Sequence, residues 1–86
     1  MTYFVYMLVC EDGSYYLGST GNVDKRFQAH LSGKGASYTR SHKPVKVVYQ
    51  EELLDKGSAL RREHELKKLS HYQKKLLFSH HHPNIR

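Results

Sequence analysis

From Tyr3 to Thr20 the apolar positions run in short continuous blocks, not in helical stripes. Tyr3 to Cys10 is an unbroken series of aromatic, β-branched and aliphatic side chains; Glu11-Asp12-Gly13 interrupts it, and Tyr15-Tyr16-Leu17 resumes it. Both arms have the composition of strands and the interruption has that of a turn, so a hairpin is expected here, with the rest of the chain packed onto it. The turn sets which side chains share a face, because a slip of one residue moves a whole strand to the other side of the sheet. A two-residue Asp12-Gly13 loop pairs Glu11 with Ser14 and puts Tyr6 and Tyr16 on opposite faces. A three-residue loop, with Gly13 in the left-handed bulge position, pairs Cys10 with Ser14. That register sets Tyr6 opposite Gly18 and Leu8 opposite Tyr16, making the two tyrosines diagonal neighbours on one face. The three-residue loop is preferred, although strand propensity admits both.

Beyond Gly21 the periodicity changes. Asn22 is placed to cap a helix running to about Ser32 and closed by Gly33, with Val23, Phe27 and Leu31 as the stripe facing the sheet. Arg26 and His30, also four apart, form a second stripe at the boundary between core and water. The stretch from Gly33 to Pro44 is basic, hydroxyl-rich and loop-like, with a turn of helix conceivable at Ala36 to Arg40. Val45 to Glu51 reads as a third strand, alternating Val45, Val47 and Tyr49 against Lys46, Val48 and Gln50. Asp55 or Ser58 then starts a helix through about Lys68, and Ser70-His71-Tyr72-Gln73 has the form of a capping box for a last helix with Tyr72, Leu76 and Leu77 as its apolar face. The fold class that follows is α/β, a small three-stranded antiparallel sheet flanked by helices in the order β-β-α-β-α-α.

The helix after the third strand sets a problem of its own. Glu63 has Ala59 and Leu60 one turn before it and Leu66 and Lys67 one turn after, which puts it on or beside the apolar stripe, whereas Glu65 reads as a solvated charge. A carboxylate drawn toward a core needs a cation or a metal as partner, since otherwise it neutralises. A salt bridge to Lys67 or another base answers that need, and so does a bound metal.

Composition narrows the setting. At 86 residues the chain has room for one domain, taken as residues 1–79, with 80–86 as a polar, unstructured tail whose adjacent His80, His81 and His82 do not have the spacing of a zinc site. A single cysteine, Cys10, excludes an intramolecular disulfide and suits a reducing compartment. No apolar run reaches bilayer length and the N-terminal residues lack a secretory pattern, so a cytoplasmic monomer without membrane association is expected. Fourteen Lys and Arg against eight Asp and Glu give a formal charge of +6, the electrostatic signature of a chain that meets phosphate backbones. The alternative is a merely solvated surface. In the basic loop Lys34, Arg40 and Lys43 are candidates for nucleic-acid contact.

Taken together, Phe4-Val5-Tyr6, Tyr16-Leu17-Gly18, Arg26 followed one turn later by His30, and Ala59-Leu60-Arg61-Arg62-Glu63 resemble the motifs of the GIY-YIG nuclease domain family over about residues 3 to 78. The likeness is to its small stand-alone bacterial members. Phe4 and Val5 stand where the first motif has Gly and Ile, and Leu17 where the second has Ile; the packing character of these positions is kept. The resemblance implies an endonuclease acting on DNA with one divalent metal, Mg²⁺ or Mn²⁺, held by Glu63 together with waters and phosphate oxygens. It further implies Tyr6 as general base, Tyr16 orienting water or phosphate, Arg26 binding the phosphate, and His30 assisting a tyrosine. Partners would be nucleic acid, most readily DNA, and a protein that helps select the substrate. The alternative function is a binding module on the same fold that cleaves weakly or not at all.

Overall fold

The computed structural model describes residues 2–79; the tail expected at 80–86 lies outside the described residues. Two strands, β1 (Tyr3–Cys10) and β2 (Tyr15–Thr20), are followed by α1 (Val23–Leu31), the five-residue α2 (Ser37–Ser41), β3 (Pro44–Leu53), α3 (Lys56–Lys67) and α4 (His71–Ser79). The sheet is antiparallel with strand order β2-β1-β3, which is the expected fold class with the short helix of the basic loop added.

The hairpin takes the three-residue loop. The Cys10 amide donates to the Ser14 carbonyl at 2.9 Å, and Gly13, at φ +85°, supplies the left-handed turn that a side chain resists. Tyr6 therefore pairs with Gly18 and Leu8 with Tyr16. Asp12 fixes the turn by accepting from the Ser14 amide and hydroxyl at 3.0 and 2.6 Å. On its other side the Glu11 amide donates to the Lys43 carbonyl at 2.8 Å, tying the turn to the start of β3.

Alternation along the central strand divides the core in two. Val5 and Met7 point to one face, where with Leu17 they meet Ala59 and Leu66 of α3 and the partly buried Leu77 and Phe78 of α4. Tyr6 and Leu8 point to the other, against Val23 and Phe27 of α1. Each aliphatic side chain buried in this way contributes roughly 1.5–3 kcal/mol relative to exposure. Cys10 is buried as a small hydrophobe, and burial pushes its thiol up.

The caps match the sequence. Asn22 accepts from the Lys25 amide at 3.0 Å, Asp55 from the Ser58 amide at 2.8 Å, and Ser70 and Gln73 exchange side-chain-to-amide bonds at 3.1 and 2.9 Å. At the C-terminus of α1 the amides of Gly33 and Lys34 turn back to the carbonyls of His30 and Ala29, which closes the helix at Gly33 as expected.

Four expectations are corrected. Leu31 is 43% exposed, and the inward position of the last turn of α1 belongs to His30, 1% exposed and so not at the boundary with water. Helical geometry gives the reason: seven residues from Val23 return to within about 20° of the same direction, whereas eight overshoot by about 80°. In β3 the pairing jumps between Tyr49, opposite Met7, and Val47, opposite Leu8, so Val48 is the extra residue of a bulge. The alternation read from Val45 to Gln50 consequently breaks: Val47 packs with Tyr6 and Leu8, Val48 and Tyr49 pack on the other face, and Val45 is 51% exposed. The strand is also longer than Val45 to Glu51; Pro44 opens it, as an edge strand allows. Finally, Tyr72 is 68% exposed, because α4 docks through Leu77 and Phe78, and Tyr72 lies about 140° around the helix from Leu77.

Candidate active site

The second face of the hairpin collects the chemistry. Tyr6 and Tyr16 lie diagonally on it with ring centroids 6.4 Å apart, and the His30 imidazole stands over both, 5.9 Å from the first and 5.0 Å from the second. Gly18, paired with Tyr6, leaves the space the phenol needs: a Cβ there would lie 2.6 Å from the Tyr6 hydroxyl. The Tyr6 Oη is 2.7 Å from His30 Nε2, in a contact sealed from solvent.

The other imidazole nitrogen sets the direction of that bond. His30 Nδ1 is 2.8 Å from Thr39 Oγ1, on α2. The Thr39 hydroxyl already donates to the Ala36 carbonyl at 3.0 Å and accepts from the Ala36 amide at 3.3 Å. It therefore faces Nδ1 as an acceptor; Nδ1 carries the imidazole proton, and the Nε2 lone pair receives the Tyr6 O–H. Thr39 is 3% exposed and was not among the residues singled out in the sequence. A lone hydroxyl in a hydroxyl-rich loop carries no local signal, and only the fold of α2 over α1 places it. Gly35 belongs to the same arrangement, since a Cβ at that position would fall on the His30 ring.

Electrostatics hold the pair in its neutral form. Burial pushes the Tyr6 phenol up to about 12, with Tyr16 and Glu63 adding to the rise, while Arg26 pulls the other way through hydrogen bonding and charge. Burial first, and then the Arg26 charge, push His30 below its ordinary value of 6.5. At neutral pH the site thus contains a protonated phenol against an unprotonated imidazole, a donor and an acceptor ready for a transfer.

Of the residues proposed from the sequence, the structure brings Tyr6, Tyr16 and His30 into direct ring contact, with Arg26 beside the Tyr6 hydroxyl and the Glu63 charge close enough to act on it. Lys34, Arg40 and Lys43 are exposed and stand outside this cluster. Glu63 is largely sheltered, its side chain 16% exposed, and its Oε2 is 2.8 Å from Lys67 Nζ, the salt bridge that the sequence offered as one answer to its position. Glu65 reaches solvent, 65% exposed, and pairs with Arg62, which also binds Glu51 at 2.8 Å and so ties α3 to β3. Among the described residues no three His, Cys, Asp or Glu side chains converge on a metal-sized space. A single sheltered carboxylate nonetheless fits Mg²⁺, which takes one or two carboxylates and completes its shell with water and substrate phosphates.

The profile of the GIY-YIG catalytic domain matches residues 2–76. The chain belongs to the GIY-YIG family. Among relatives, a UPF0213 protein of Staphylococcus haemolyticus is 47% identical over 72 residues, covering 84% of this chain and 88% of the relative. A UPF0213 protein of Clostridium perfringens is 49% identical over 76 residues, covering 88% and 82%. The solution NMR structure of a UPF0213 protein from Bacillus halodurans superposes with a TM-score of 0.59 at 44% identity, covering 94% of this chain and 86% of that one. In this GIY-YIG domain the two motif tyrosines, Tyr6 and Tyr16, are the pair that the hairpin register brings to one face. No helix among the described residues is long and apolar enough to cross a membrane.

Proposed function

We propose that the chain is a metal-dependent endonuclease that hydrolyses phosphodiester bonds, with DNA as its substrate. The observation that carries this reading is the buried Tyr6 phenol 2.7 Å from the unprotonated Nε2 of His30. Tyr6 takes a proton from the attacking water as it passes its own to Nε2, so a phenol of high pKa need never exist as a free phenolate. Thr39, by accepting from Nδ1–H, keeps Nε2 free to accept before the transfer and holds the imidazolium that forms after it. Tyr16, at the rim of the cluster, orients the water against the phosphorus, and Arg26 holds the phosphate and meets the charge that develops on its oxygens. Mg²⁺ or Mn²⁺ on Glu63 would supply Lewis-acid stabilisation of the same oxygens. The basic surface, with Lys34, Arg40 and Lys43, gives the affinity for the backbone that is independent of base sequence.

One observation supports a second reading. Tyr6 is 1% exposed, so the phenol must gain a water when substrate binds, and a domain in which that opening is lost would bind nucleic acid without cutting it. Cleavage of supercoiled plasmid, single-stranded and branched DNA with Mg²⁺ or Mn²⁺ separates the two. Nicking that disappears in Glu63→Ala and Arg26→Ala is the expected outcome; activity surviving both substitutions removes the mechanism, and binding at low salt with no cleavage under any condition leaves the binding module.

A further inference from the structure

Glu63, the carboxylate assigned to the metal above, already has a cation on it. Lys67 lies one helical turn beyond Glu63 on α3, its ammonium 2.8 Å from Oε2; it is 56% exposed while its partner is 16% exposed. The ammonium thus reaches in from solvent to a carboxylate that cannot reach out. Lys67 also lines, with Lys74 and the side chains of Tyr15, Tyr16, Leu17 and Tyr38, a cleft of about 250 Å³. Because β2 is an edge strand, this cleft crosses the sheet's border from α2 on one face to α3 and α4 on the other. Its wall is continuous with the site: the Tyr16 ring stacks on Tyr38 at 5.9 Å and meets His30 edge-on. Lysines beside aromatic walls are what a nucleic-acid strand requires, cations for its phosphates and apolar surface for its sugars and bases. An ammonium drawn toward a phosphate in the cleft holds the carboxylate less strongly.

We propose that Lys67 occupies Glu63 in place of the metal, and that a metal arriving on Glu63 releases Lys67 to a phosphate of the strand lying in the Tyr16–Tyr38–Lys74 cleft. The inference rests on the metal-dependent reading above. Metal and strand then favour each other's binding, reciprocally and through one side chain. An ordinary helix-surface ion pair would have neither effect.

The test compares wild type, Lys67→Met and Lys74→Met. Mn²⁺ is titrated alone, followed by broadening of amide signals around Glu63, and then a fluorescent oligothymidylate, checked by gel to be uncut, is titrated with and without Mn²⁺ across a salt series. With its competitor gone, Lys67→Met binds Mn²⁺ about threefold more tightly than wild type. Lys74→Met, which removes the same charge from the same cleft, leaves Mn²⁺ affinity unchanged. In Mn²⁺ the salt slope for the oligonucleotide is shallower by about 0.7 in Lys67→Met than in wild type, and without Mn²⁺ the two coincide. Equal Mn²⁺ affinity in wild type and Lys67→Met, or a slope difference that is the same with and without metal, overturns the inference and leaves the nuclease reading standing. No broadening near Glu63 in any of the three proteins overturns the metal-dependent reading and the inference with it.

Discussion

The two faces of the central strand are built from neighbouring residues and do opposite work. Val5 and Met7 look toward α3 and α4 into a core of Leu17, Ala59 and Leu66 that contains only apolar side chains. Tyr6 and Leu8, one position away in each case, look toward α1 and α2, where the same degree of burial encloses a phenol, an imidazole and a hydroxyl bonded in series. The first face can tolerate a change of shape at the cost of stability; the second loses the order of its protons when any one member moves. Burial in this domain therefore packs an apolar core on one face and, on the other, encloses the polar series that the proposed reaction uses.

The contrast is broken most severely on the apolar face. Met7→Ala is expected to cost about 2–5 kcal/mol in urea unfolding, a large part of the stability of so small a domain, while the folded fraction keeps the wild-type pH dependence of cleavage. Gly18→Ala breaks the other face: the added methyl, 2.6 Å from the Tyr6 hydroxyl, drives the phenol off Nε2 and lowers single-turnover cleavage about 100-fold, for a smaller loss of stability of about 1–3 kcal/mol.

Thr39→Val sharpens the comparison, because it keeps shape while removing the acceptor for Nδ1 together with the hydroxyl's two bonds to Ala36. It should slow cleavage about tenfold and shift the His30 ring ¹⁵N signals away from the Nδ1–H form, with Thr39→Ser restoring both. An unchanged tautomer in the valine variant would show that Thr39 does not set it. The smallest effect is on pH. Burial and Arg26 hold His30 below 6.5, so the folded state binds its proton less readily than the unfolded chain. This contribution to stability is complete above pH 6.5 and is lost as pH falls through the lowered value; cleavage declines over the same acid range, since protonated His30 cannot accept from Tyr6. Glu63→Gln, which leaves the imidazole untouched, should keep this acid limb of the stability curve.

Much of this was legible in the sequence, for identifiable reasons. The hairpin, the Asn22 and Ser70 caps and the closure at Gly33 are local, and local chemistry decides them; the three-residue Gly13 loop was only preferred, since strand propensity admits both registers and the cross-strand pairing selects one. The pairing of Tyr6 with Gly18 followed from the turn length, and Glu63 was marked by its place on α3. His30 was misplaced at a surface boundary because the inward stripe was drawn through Val23, Phe27 and Leu31 with Arg26 and His30 beside it, although the seven-residue interval from Val23 pointed inward. The Val48 bulge depends on the strand opposite, and the exposure of Tyr72 on how α4 docks; neither is recorded in its own neighbourhood. Thr39 is the clearest case, since its role exists only where α2 lies across α1. The dual position of Lys67, on Glu63 and on the cleft, likewise needs the edge of β2 to bring three elements together.

The central claim is that Tyr6, acting into His30, is the base of a hydrolytic reaction. Tyr6→Phe removes one oxygen and preserves the ring that packs against Leu8 and Val23. Single-turnover cleavage of a labelled oligonucleotide in Mg²⁺ should fall by about 10²–10⁴ in this variant, with oligonucleotide affinity and a folded thermal transition retained. Cleavage at the wild-type rate by a folded Tyr6→Phe protein would contradict the account.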